Sequence, residues 1–65
     1  MWTVICMADG IDEAERIKRK LEAESFLVKI EKFSKEGEKT TYAINVPEFE
    51  ADEVQEVLIE LGLNY

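Results

Sequence analysis

One cysteine, Cys6, and no histidine leave this 65-residue chain without a disulfide or a zinc site to staple it, so its fold must rest on buried apolar surface. At this length that is a tight constraint. The chain makes a single domain, residues 1–65, and buries only about 60% of the surface its unfolded form exposes. Ordering costs on the order of 1.5 kcal/mol per residue, which burial roughly cancels. Association with a partner is the source of stability that remains. The apolar content of 46% is ample for a globule and too high for a disordered chain.

The spacing of the apolar residues predicts the elements. Trp2 to Ala8 is uncharged and rich in β-formers, a first strand ended by Asp9-Gly10. From Ile11, the positions Ile11, Ala14, Ile17 and Leu21 form one helical stripe, with Asp9 or Asp12 available to cap it. Its other face pairs opposite charges four apart, Asp12 with Arg16, Glu15 with Arg19, Lys18 with Glu22 and Lys20 with Glu24, as a solvated helix face does. Phe26 to Phe33 alternates as a second strand, with Phe26, Val28 and Ile30 on one face and Leu27, Lys29, Glu31 and Phe33 on the other. A polar loop, Ser34 to Lys39, leads into a third strand, Thr40 to Val46, with Tyr42, Ile44 and Val46 on one face. Pro47 removes a ladder donor and ends it. Ala51, Val54, Val57, Leu58 and Leu61 then form a second helical stripe, with Gly62 placed as its C-terminal glycine.

The order is βαββα. A right-handed crossover puts strands one and two parallel, and slotting strand three between them gives a split βαβ arrangement. The expected fold is therefore α+β: a truncated ferredoxin-like domain with a three-stranded antiparallel sheet in the order 1-3-2 and two helices on one face. Only Leu63-Asn64-Tyr65 remain to supply the fourth strand of a full ferredoxin-like domain.

Charge narrows the function classes. Residues 1–46 hold nine acids against eight bases, whereas residues 47–65 hold six acids and no base, within a net charge of −7. Such a field repels a phosphate backbone and an anionic membrane surface, so neither nucleic acid nor membrane is an expected partner. No apolar run approaches the ~20 residues of a membrane span. The opening Met1-Trp2-Thr3-Val4-Ile5 has neither the basic stretch nor the cleavage site of a signal peptide, and the expected location is the cytoplasm.

No catalytic or cofactor set assembles in the sequence. Cys6 has no imidazole to activate it and reads as a small packing residue. Asp52, Glu53, Glu56 and Glu60 form a ridge on one exposed helix face, where ligands diverge into water instead of converging on a metal. Both helix N-termini are already occupied by acids, Asp9, Asp12 and Glu13 at the first and Glu48, Glu50, Asp52 and Glu53 at the second, and no glycine-rich cradle accompanies them. Trp2, Phe33 and Phe49 lie near element ends as either core edges or interface anchors.

Several segments resemble a known family: Met1-Trp2-Thr3-Val4, the helix from Glu13-Ala14-Glu15 to Leu21-Glu22-Ala23-Glu24, and Val46-Pro47-Glu48 followed by Glu53-Val54-Gln55-Glu56-Val57-Leu58. They are similar to a group of small prokaryotic proteins of unknown function that carries a signal-transducing label. The resemblance implies a PII-like version of the ferredoxin-like fold and brings no catalytic residues. Ser25 stands where that family tends to have glycine.

The expectation is a non-catalytic regulatory or protein-interaction module without a cofactor or metal. The alternative is a small-ligand-binding subunit, or an accessory subunit of an enzyme. Self-association, most simply as a homodimer, is expected from strand one, an edge without charges, and from an apolar sheet face opposite the helices. If Ile5 and Val28 point at the helices, that face gathers Trp2, Val4, Cys6, Leu27, Phe33 and Ala43 as interface candidates. For strand one, Thr3-Ile5-Met7 and Trp2-Val4-Cys6 are both plausible core sets.

Overall fold

The computed structural model describes residues 1–62, so the proposed remnant of a fourth strand at 63–65 lies outside the described residues. The elements are β1 (Trp2–Asp9), α1 (Ile11–Ala23), β2 (Lys29–Glu36), β3 (Lys39–Pro47), a single 3-10 turn (Glu48–Glu50) and α2 (Ala51–Glu60). The sheet has the order β1-β3-β2 with both pairings antiparallel, the α+β arrangement read from the sequence. No helix among the described residues is long and apolar enough to cross a membrane.

Both helices lie on the same side of the sheet. Ala14, Ile17 and Leu21 of α1 and Val54 and Leu58 of α2 are buried in one cluster with Cys6, Ala8, Ile44 and Val46 of the sheet. Phe26 joins that cluster, with Val28 and Ile30 half-buried against it. At 16 Å, the thinnest dimension of the molecule is that of one helix layer on one sheet, and among the described residues no third layer covers the other face.

Several boundaries differ from the sequence reading, each for a local reason. β2 begins at Lys29, not Phe26, because Phe26 completes the end of α1. There the Phe26 N–H donates to the Leu21 carbonyl at 3.2 Å and the Ser25 N–H to the Glu22 carbonyl at 2.9 Å. This is a Schellman motif with Ser25 in the left-handed position at φ 71° and two buried apolar residues, Leu21 and Phe26, closing it. The predicted six-residue loop shrinks to a two-residue turn, Gly37-Glu38, because Glu36 and Lys39 still pair across the hairpin. Gly37 at φ 60° occupies the first central position, where a type II′ turn demands glycine. Pro47 is the last residue of β3, opposite Trp2, and does not stand outside the strand.

Neither Asp9 nor Asp12 caps α1. Gly10 holds the N-cap position at φ 84°, ψ 156°, and no side chain bonds there. Asp9 is still within β1, and its carboxylate lies 3.8 Å from Lys39 Nζ on the neighbouring strand. On the helix surface Lys18 pairs with Glu22 at 3.1 Å as expected, and Arg16 pairs with Glu13 at 3.4 Å. Ile11 and Leu61, assigned to apolar stripes, are both exposed at the ends of their helices.

Candidate functional site

Two bulges decide which side chains reach the uncovered face. In β1 the register passes from Val4↔Asn45 to Cys6↔Ile44, so Ile5 is one extra residue. In β2 it passes from Lys32↔Tyr42 to Ser34↔Thr41, leaving Phe33 as the extra residue. Strand side chains alternate between faces, and an extra residue reverses the alternation beyond it. Hence Ile5, Cys6 and Ala8 all pack toward the helices, and Trp2, Val4 and Met7 face away from them.

This corrects one interface candidate. Cys6 belongs to the core, not to the open face, and neither core set proposed for β1 holds along its whole length. Trp2, Val4 and Ala43 do share the open face, and Leu27, between the core-directed Phe26 and Val28, is turned to the same side. Val4 is 53% exposed and Leu27 62%. Ala43 lies in the central strand and is buried beneath its neighbours. Phe33 is 68% exposed at its bulge. Met7, Asn45 and Pro47 also belong to this face but were not selected from the sequence; Asn45 follows from alternation with Ala43 along β3, whereas Met7 needs the bulged register of β1 on β3.

The face has two ends of different character. β1 and β2 run parallel, so Trp2, Val4, Leu27 and Pro47 gather at one end and the hairpin lies at the other. At the apolar end Lys29 Nζ sits 5.7 Å from the Trp2 ring centroid, a cation–π contact that spans the central strand. Beneath it Asn45 is buried, its amide nitrogen donating a long 3.4 Å bond to the Ala43 carbonyl. At the hairpin end Ser34, Glu36, Lys39 and Thr41 line a shallow open depression of about 200 Å³. Charges on the face are nearly balanced: Lys29 and Lys39 among Asp9, Glu31 and Glu36.

Other chemistry is dispersed. Burial pushes the Cys6 thiol up to about 11, and the negative charge of Glu13 adds to the effect, so the thiolate that a nucleophile needs is suppressed. Among the described residues no group of three or more His, Cys, Asp and Glu side chains is placed to hold a metal ion. Asp52, Glu53, Glu56 and Glu60 are exposed along α2, on the side of the molecule away from the open face. Phe49 stands 84% exposed just before α2. Glu50, at the N-cap position of α2, keeps one carboxylate oxygen, Oε1, buried without a hydrogen-bond partner.

Comparison of the chain with family models, with curated proteins and with solved structures finds no match in any of the three.

Proposed function

We propose that this chain is a non-catalytic regulatory or protein-interaction module that binds through the open face of its sheet. The observation that carries this reading is the apolar end of that face, where Trp2, Val4 and Leu27 stand exposed and, among the described residues, no further layer lies over them. A small folded chain rarely leaves such a patch bare unless something covers it. The dispersed carboxylates and the suppressed Cys6 thiol support the non-catalytic half of the reading. In this reading the chain works in the cytoplasm and its partner is a protein, a role in keeping with the signal-transducing label of the family of unknown function that its sequence resembles.

The test is a photo-crosslinking amino acid placed at Val4, on the open face, or at Glu56, on the exposed face of α2, in cells that express the protein. Protein adducts are expected from the first position and not from the second. A thermal-shift panel of metabolites, nucleotides and divalent ions runs beside it. Strong stabilisation by one small ligand, with no protein adduct at Val4, would overturn the proposal in favour of a ligand-binding subunit.

A further inference from the structure

We infer that the occupant of the open face is a second copy of this chain, stacked sheet on sheet with the apolar ends overlapping. The inference rests on the interaction reading above and adds the identity of the partner and the mode of docking.

Charge placement carries it. The uncompensated acids of α2 lie on the helix layer, and the open face holds nearly equal numbers of cations and anions. A strongly basic partner would be drawn to α2, not to this face. A near-neutral apolar surface selects another near-neutral apolar surface, and the face of a second copy is one. A two-fold axis through the apolar ends would set Trp2, Val4 and Leu27 of each copy against those of the other. Every contact then occurs twice, which is the requirement of an isologous interface.

The same charges choose between the two ways in which copies can meet. α2 packs on β1 and β3. It therefore lies toward the β1 side of the sheet, and pairing of two β1 edges would set two acidic helices side by side. Stacking the open faces puts them on opposite outer surfaces. With about 10 Å between stacked sheets and a similar depth from each sheet to its helices, the acids stand on the order of 30 Å apart. That is several Debye lengths at physiological ionic strength, about 8 Å each, so their repulsion is screened. The Trp2–Lys29 contact also fits stacking. It lays the lysine stem across the central strand, where the long side chain adds apolar surface.

The experiment is a dilution series on the intact chain, read by light scattering and by the emission of Trp2, the single tryptophan. A dimer is expected at high concentration, with Trp2 emission shifted to the blue and shielded from acrylamide in step with the rise in mass. Leu27→Glu is the decisive variant. It sits at the β2 end of the sheet, remote from the β1 edge, and is already solvent-exposed, so the monomer keeps its fold, as circular dichroism would verify. It is expected to weaken the dimer at least tenfold, while Ile59→Glu on exposed α2 leaves it unchanged. A dimer that ignores Leu27→Glu and leaves Trp2 accessible would overturn stacking and point to the β1 edge. A monomer at every concentration would overturn the inference outright. Protein adducts at Val4 would in that case still uphold the broader interaction reading, so the two failures are distinguishable.

Discussion

Cys6 shows how one position acquires its chemistry from its surroundings. From sequence it is a candidate nucleophile, a packing residue and a possible member of the open face. The extra residue at Ile5 turns it toward the helices, and burial then raises its ionisation. The consequence for stability has a definite sign. The unfolded thiol ionises near 9.0 and the folded one near about 11. Between these values the unfolded chain has released a proton that the folded chain retains, so unfolding gains as pH rises. The contribution of Cys6 is fully present below about 9 and is lost toward about 11. Urea unfolding of the wild type and of Cys6→Ala should therefore show the variant less stable by roughly 1 kcal/mol near neutral pH, the cost of a small buried group. The gap should narrow across the alkaline range, with self-association unchanged by the substitution. Curves that stay parallel from neutral to strongly alkaline pH would show that the thiol titrates alike in both states.

Elements were legible where a period ran unbroken, and they failed where one residue was inserted or one turn was tighter than its composition suggested. The stripe Ala14, Ile17, Leu21 and the pair Val54, Leu58 identified both helices and their buried sides, because helical spacing tolerates no other partner for those positions. The strand order followed from the right-handed crossover together with the split βαβ choice of slotting strand three between the other two. The register puts Trp2, Val4 and Ala43 on the open face and turns Cys6 into the core, a reversal the sequence does not announce because a bulge leaves no mark in an apolar run that has candidates on both faces. The end of α1 is a similar case. Ser25 holds a left-handed conformation that glycine adopts without strain, whereas Gly10 occupies a region of φ, ψ space nearly reserved for glycine. No crowding masks the backbone effect at Gly10, where nothing lies within 4 Å of an added Cβ. Ser25→Gly is therefore expected to raise the unfolding free energy by about 0.5–1 kcal/mol, the left-handed penalty less the extra chain entropy of glycine. Gly10→Ala should lower it by about 1–3 kcal/mol. Thermal denaturation of the two variants checks both signs. A stabilised Gly10→Ala would mean that the turn between β1 and α1 relaxes to another conformation.

At the scale of the whole molecule, the uncompensated acids lie on the helix side while the open face is nearly balanced in charge, and that asymmetry makes ionic strength a probe of which side docks. Residues 47–65 carry six acids and no base, and four of these acids are exposed on α2. The open face balances Lys29 and Lys39 against Asp9, Glu31 and Glu36. Between about 0.1 and 1 M salt the Debye length falls from about 10 Å to 3 Å, so attraction between exposed charges is nearly abolished while apolar contact is not. A complex formed through α2 would draw on a basic surface and lose affinity steeply over this range. A dimer formed through the open faces carries seven net negative charges on each copy, and screening removes a weak repulsion that opposes it. Its dissociation constant, measured by Trp2 emission in a dilution series at each salt concentration, is expected to hold or to fall as salt rises. Titrating a Lys-rich peptide against the monomeric Leu27→Glu variant supplies the contrasting case, in which any binding is confined to α2 and should disappear by about 1 M. A dimer that dissociates with added salt would mean that ion pairs between copies, not Trp2, Val4 and Leu27, hold it together.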